Sequence, residues 1–132
     1  MSEADLCARR DILKDPRLVF ALYGLPTLAL FAAGAAQIDN LWRGAVWAAA
    51  CLVMGGACIA NALNCGRVHC YLTGPFAVAM AATAALYGAG LLPLGRDGWN
   101  LLGLVLMVGM AALIFGPELL FGKYRASRSA RA

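Results

Sequence analysis

Charged side chains are missing from most of this sequence. Four stretches contain no aspartate, glutamate, lysine or arginine: 18–38, 44–66, 68–95 and 98–117, together 92 of 132 residues. They are 21, 23, 28 and 20 residues long, and roughly 20 apolar residues of helix cross the hydrocarbon core of a bilayer. With 62% hydrophobic residues and a mean hydropathy of +0.72, the composition excludes a soluble enzyme, a disordered protein and a nucleic-acid-binding domain.

The charge-free stretches also lack the alternation of apolar and polar residues that is typical of membrane β-barrel strands. Their apolar residues are continuous and rich in alanine and leucine, which are both good helix formers. The sequence therefore predicts an all-α, integral membrane four-helix bundle in a single domain, 1–132. The predicted helices lie at about 18–37, 44–65, 75–93 and 99–121, between short polar tails, and the third begins at Pro75.

Lysine and arginine are concentrated in the two tails. When both tails and the loop containing Arg67 are placed on one side, nine basic residues lie on that side and two, Arg43 and Arg96, on the other. Because basic residues gather on the cytoplasmic side, we predict an N-in, C-in topology in a bacterial or archaeal cytoplasmic (inner) membrane. The net charge of +4 then suits lipid headgroups, so the bilayer is the predicted partner and no nucleic acid is needed.

Three of the five cysteines repeat every seven residues in the second predicted helix: Cys51, Cys58 and Cys65. Seven helical residues turn about 700° and rise about 10.5 Å, so we expect these thiols on one face, with Met54 and Asn61 between them. Thiols that far apart cannot share an ion, because metal–sulfur bonds are about 2.3 Å long. Each thiol within the membrane would need a second ligand from another helix or from another subunit. The candidates are methionines: Met80, Met107 and Met110.

A polar block follows that helix: Cys65-Gly66-Arg67-Val68-His69-Cys70-Tyr71-Leu72-Thr73-Gly74-Pro75. It brings two thiols and the only histidine close to an arginine, which favours the thiolate form. Soft ligands of this kind select soft cations such as cuprous, zinc and mercuric ions. We expect a soft-metal site at Cys65, His69 and Cys70, supplied by a relay along Cys51 and Cys58.

The block from Cys65 to Pro75 resembles a segment of small uncharacterised prokaryotic four-span membrane proteins, and this resemblance implies no activity. More loosely, a small helical chain with cysteines in a helix and in a cytoplasmic loop resembles the bacterial mercuric-ion transporters. That resemblance implies one metal-binding pair at Cys51 and Cys58, a second at Cys65 and Cys70, and mercuric ion as the favoured cargo. The family's helix pair is adjacent or nearly so, whereas Cys51 and Cys58 are two turns apart.

Two alternatives stay open. Free cysteine also packs as a small apolar residue, so the chain could be a non-catalytic scaffold or accessory subunit. Such a protein would assemble, as a homo-oligomer for example, through a stripe of alanines that lets helices approach closely. These are Ala77, Ala81, Ala85 and Ala89. A weaker alternative is thiol redox chemistry by Cys65 and Cys70.

Signatures of catalysis are missing. The sequence has no Ser/His/Asp constellation, no paired carboxylates in a membrane helix, no phosphate-binding glycine loop and no zinc-protease motif. We therefore predict that the chain is not an enzyme and holds no tightly bound cofactor. Glu118 is the one acidic residue near membrane depth, and we expect it to form an interfacial ion pair near Lys123 and Arg125.

Overall fold

The structure is a computed structural model, and it describes residues 3–122. Within that range the chain is helical and contains no strand. The helices are α1 (Glu3–Arg10), α2 (Pro16–Ala35), α3 (Asn40–Cys65), α4 (Cys70–Gly88) and α5 (Gly98–Phe121), with a 3₁₀ turn at Ile12–Lys14 between α1 and α2. Helices α2 to α5 are each long and apolar enough to cross a membrane, which confirms the predicted number of membrane-length helices.

The antiparallel pair of α3 and α4 forms the centre of the molecule and makes its most extensive helix contact. Glycines allow the two backbones to touch. A Cβ added to Gly44 would lie 2.9 Å from the carbonyl oxygen of Ala84 and 2.9 Å from the Cα of Gly88. A Cβ added to Gly74 would lie 2.6 Å from the Ile59 side chain. Small residues are typical of apolar helices that pack this closely.

The buried stripe of α4 differs from the predicted one. Ala77 and Ala81 are buried against α3, but Ala85 and Ala89 are exposed. A strict spacing of four drifts around a helix that has 3.6 residues per turn. The contact therefore continues through small residues spaced alternately by three and four: Gly74, Ala77, Ala81, Ala84 and Gly88.

The other two membrane-length helices flank the central pair, with α2 packed on α3 and α5 packed on α4. Half of the apolar window of α3 is buried inside the molecule, against 17% for α2 and 11% for α5. Large apolar side chains such as Phe31 on α2 and Leu104 on α5 are exposed. Large apolar side chains exposed along two helices are typical of faces that meet lipid or another protein.

Helix α2 contains a π turn at Phe20–Gly24, just before Pro26. Proline has no N–H to donate, and its ring crowds the preceding turn. The wider turn relieves this crowding, and the α-helix resumes at Leu25. The helix is thus locally widened next to Pro26.

The third membrane-length helix begins at Cys70 and not at Pro75. Gly66 ends α3 in a left-handed conformation, with φ 62°, which glycine adopts without strain. The carbonyl of His69 already accepts the N–H of Thr73 at 2.8 Å, so helical hydrogen bonding starts before the proline. Pro75 therefore lies inside α4, and the polar block is partly helical.

One end of the molecule collects the polar groups, and we refer to it as the polar end. It consists of residues 3–15, the 66–69 loop and the last turns of α5. Arg67 of the loop connects these three parts, because it contacts both Asp11 and Glu118. The N-terminal segment and the end of α5 thus lie on the same side as this loop. The tail that holds Lys123 and Arg125 is outside the described residues.

Candidate functional site

Cys58 and Cys70 form a buried thiol pair near the polar end, which we call the inner thiol pair. Cys58 lies on α3, Cys70 is the first residue of α4, and the two side chains lie in one buried cluster with Ala62. They are 3% and 0% exposed. Tyr23 of α2 packs beside them, with its hydroxyl 3.4 Å from the Cys58 Sγ. Three helices therefore enclose the two sulfurs.

An imidazole and an amide border this pair. The Nε2 of His69 is 3.4 Å from the Cys70 Sγ, and the Asn61 Nδ2 donates to the same sulfur at 3.8 Å. The other ring nitrogen, His69 Nδ1, shares a hydrogen bond of 2.6 Å with the Glu118 Oε1. A carboxylate on the far nitrogen fixes the orientation of a histidine ring, as it does behind metal-binding histidines.

Arg67 ties three parts of the polar end together. Its Nη1 donates to the Asp11 Oδ2 at 2.7 Å, and its Nε donates to the Glu118 Oε1 at 3.2 Å. Asp11 is only 4% exposed, and its Oδ1 accepts the Asn61 amide at 3.0 Å. The 66–69 loop is therefore attached both to the N-terminal segment and to α5.

The surroundings of Asp11 favour its charged form. Burial alone would raise its pKa, but hydrogen bonds from Asn61 and the Leu13 N–H, together with the positive charge of Arg67, hold the pKa below its ordinary value. Burial likewise opposes the charge on Arg67, yet Asp11 and Glu118 raise the pKa of that guanidinium above its ordinary value. Both groups are thus ionised at neutral pH, and each compensates the buried charge of the other.

The three cysteines of α3 lie on its buried face, as their spacing predicted, but they have different neighbours. Cys51 is fully buried in an apolar cluster that also contains Met54 and Met80. Cys58 is buried beside Cys70. Cys65 contacts the N-terminal segment, where its thiol donates to the carbonyl of Cys7 at 3.2 Å. Cys70 therefore lies in a cluster with Cys58, whereas Cys65 contacts the N-terminal segment.

The methionines considered as additional ligands are distributed unevenly. Met80 is buried in the same cluster as Cys51, and Met110 packs partly buried against that cluster. Met107 is 61% exposed on the outer face of α5. Of the three, only Met80 and Met110 thus share surroundings with a thiol of α3.

Three residues at the site were not assigned to it from the sequence: Asp11, Tyr23 and Glu118. We had expected Glu118 to pair close to Lys123 and Arg125, which lie outside the described residues, and in the structure it contacts Arg67 and His69. Asp11 is one of four acidic residues in a tail that also holds four basic ones, so nothing in the sequence distinguished it. Tyr23 is a hydroxyl in an apolar run and Glu118 is an acid near membrane depth, so each of these two stood out, although its partner did not.

Within residues 3–122, no group of three or more His, Cys, Asp and Glu side chains is arranged to hold a metal ion. The candidate site is a two-thiol pair bordered by an imidazole. Comparisons of the chain with protein-family models, with curated proteins and with solved structures give no match. Residues 3–122 are all-helical and include four membrane-length helices.

Proposed function

We propose that this chain is a multi-pass protein of a bacterial or archaeal cytoplasmic membrane, with both termini inside, that binds and transfers a soft metal ion. Mercuric ion is the favoured cargo. The observation that carries the proposal is the burial of the Cys58 and Cys70 thiols in one cluster between neighbouring helices. The excess of lysine and arginine in the tails supports the orientation.

The donor set suits soft ions that take two thiolates. Thiolate sulfur selects soft cations, and a linear two-thiolate complex needs sulfurs about 4.6 Å apart, twice a metal–sulfur bond of about 2.3 Å. Cys58 and Cys70 already share one buried cluster, so a small adjustment of their side chains admits the ion. Burial of both sulfurs excludes competing thiols, and His69 lies close enough to Cys70 to offer a third donor.

Binding can be tested on the purified, reduced full-length protein in detergent. The protein is titrated with mercuric chloride in the presence of an excess monothiol, which removes ions held by one sulfur only. We expect Cys58→Ser and Cys70→Ser each to lower mercuric affinity at least a hundredfold. Cys51→Ser is the matched control, because Cys51 is an equally buried thiol of α3 that lies in an apolar cluster.

Wild-type affinity in both Cys58→Ser and Cys70→Ser would refute the inner pair as the binding site. Transfer is tested separately in proteoliposomes that contain a trapped dithiol as an internal sink. We expect uptake of mercuric ion by the wild type and by Cys51→Ser, and a loss of at least tenfold in Cys58→Ser. Uptake by Cys58→Ser at the wild-type rate would contradict transfer through this pair.

The same cluster favours one other function, reversible thiol oxidation. Cys58 and Cys70 would pass two electrons and two protons to a disulfide oxidant and form a disulfide between their sulfurs. In contrast to the pairing of Cys65 with Cys70 considered from the sequence, this one joins two thiols of the same buried cluster. Alkylation after mild oxidation, followed by mass analysis of the linked peptides, distinguishes the two pairs.

A scaffold role receives less support from the packing. Ala77 and Ala81, half of the stripe on which that alternative depended, are buried against α3 of the same chain. The remaining surfaces for an oligomer or another partner are the exposed faces of α2 and α5. If replacement of all five cysteines left the cellular phenotype unchanged, a scaffold would be favoured over metal transfer.

A further inference from the structure

A second pair of cysteines lies nearer the surface of the polar end. The thiol of Cys65 donates to the carbonyl of Cys7 at 3.2 Å, and the thiol of Cys7 donates to the carbonyl of Asn64 at 3.9 Å. Each thiol thus donates a hydrogen bond to the backbone carbonyl of the other cysteine or of the residue next to it. Cys65 is 2% exposed, whereas Cys7 is only partly buried. One of the two thiols is therefore accessible from outside.

This juxtaposition depends on how the N-terminal segment is anchored. Just after α1, Asp11 bonds to Arg67 at 2.7 Å and to Asn61 at 3.0 Å. The N–H of Ile12 donates to the Asn61 Oδ1 at 3.2 Å. These three contacts hold the end of α1 against α3, which places Cys7 over the last turn of that helix. A cysteine in an unattached tail would have no such position.

We propose that Cys7 and Cys65, the outer thiol pair, form a second two-thiol site that takes up the same class of soft cation at the surface of the polar end. This proposal rests on the function proposed for the inner pair in one respect, which is the identity of the ion. On binding, each sulfur exchanges its S–H bond for a metal–sulfur bond and its proton passes to water. The ion keeps its oxidation state.

The two pairs are separate sites. Cys58 and Cys65 are seven residues apart on α3, which is a rise of about 10.5 Å, and metal–sulfur bonds are only about 2.3 Å long. One ion therefore cannot be bound by both pairs at once. The partly exposed outer pair is placed to exchange the ion with solvent at the polar end, and the buried inner pair is placed to retain it.

The number of ions per chain tests this inference. Reduced full-length protein in detergent is loaded with mercuric chloride in the presence of a monothiol competitor, and bound ions are counted by native mass spectrometry. We expect two ions for the wild type and for Cys51→Ser. We expect one ion for Cys7→Ser, one for Cys58→Ser, and none for the protein that carries both substitutions.

The outcomes separate this inference from the proposed function. Wild-type stoichiometry in both Cys7→Ser and Cys65→Ser would overturn the outer site and leave the inner site standing. Loss of an ion in Cys7→Ser without any loss in Cys58→Ser would support the outer site and overturn the function proposed for the inner pair. Absence of bound ion in the wild type would overturn both.

A variant that keeps every thiol tests the anchoring. Asp11→Ala removes the carboxylate that holds the N-terminal segment to Arg67 and Asn61. We expect it to lower mercuric affinity of the outer site at least tenfold, measured in the Cys58→Ser background. The loss at the inner site, measured in the Cys7→Ser background, should be several times smaller, because Asp11 reaches that pair only through Asn61. Equal affinity for the outer site with and without Asp11 would show that the N-terminal segment does not build it.

Discussion

The side-chain amide of Asn61 donates to the carboxylate of Asp11 at 3.0 Å, across 50 positions of the sequence. Asn61 is fully buried in α3, and its Nδ2 also lies 3.8 Å from the Cys70 sulfur. One side chain thus joins the N-terminal segment to the border of the inner thiol pair. This relationship places the two thiol pairs in one connected part of the molecule.

Asn61→Ala should therefore destabilise the protein. The substitution leaves the Asp11 Oδ1 and the Ile12 N–H without their amide partner, and such a loss at a buried site costs about 1–3 kcal/mol. Asn64→Ala is the matched control, since Asn64 is exposed on the same helix and contacts Cys7 through its backbone carbonyl. Thermal unfolding in detergent is the measurement. Equal melting temperatures for the two variants would contradict the bridging role.

The contribution of Asp11 to stability should be lost in acid. Its pKa in the folded protein is below the ordinary value, so its stabilising effect is complete above the ordinary value of 3.8 and falls as the pH drops through the lower folded value. Wild type should therefore melt above Asp11→Asn at pH 7, and the difference should shrink towards pH 3. The charged partner that holds this carboxylate is Arg67, at 2.7 Å. A gap that stays constant with pH would argue against a titrating Asp11.

The two acidic partners of Arg67 should differ in importance. The side chain of Asp11 is 1% exposed and that of Glu118 is 26% exposed, and solvent screens the more exposed pair. Arg67→Gln leaves the Asp11 charge buried without its cation, a loss that typically costs about 3–5 kcal/mol. Glu118→Gln should cost about 1 kcal/mol or less. Chemical denaturation of both variants checks the ranking, and an equal loss for the two would be inconsistent with it.

Close packing of α3 on α4 should make Gly44 intolerant of a methyl group. A Cβ there would lie 2.9 Å from backbone atoms of Ala84 and Gly88, and backbone can move only with its helix, so Gly44→Ala should cost about 1–3 kcal/mol. Gly56→Ala is the control in the same helix, because a Cβ there meets nothing within 4 Å. We expect Gly56→Ala to be neutral or slightly stabilising, since alanine favours helix over glycine. Thermal unfolding of both variants tests the contrast.

Periodicity predicted part of the site correctly and missed its pairing. The seven-residue spacing placed Cys51, Cys58 and Cys65 on one face of α3, and all three are buried. It contained no information on which thiol meets a partner, because that depends on the register between α3 and α4. That register is set by glycine contacts such as Gly44 with Gly88, and it brings Cys70 beside Cys58.

The position of the third helix shows how local sequence cues can mislead. Pro75 is favourable in the first turn of a helix, so the polar block was expected to be loop. In the structure the block supplies the first residues of α4, because Gly66 reverses the chain at once and the His69 carbonyl starts the helical hydrogen bonds. The earlier start brings Cys70 into the helix contact.

The sequence by itself determined that this is an all-helical chain with four membrane-length helices, because charge-free runs of sufficient length satisfy their backbone hydrogen bonds only as helices in lipid. It also determined which face of α3 carries the thiols. Tertiary structure alone decided that Cys58 and Cys70 share a buried cluster, that Cys7 lies over Cys65, and that Asp11 and Glu118 share Arg67. These contacts join residues that belong to different helices or segments. Their geometry follows from helix packing and from the neutralisation of buried charge, and a local sequence pattern encodes neither.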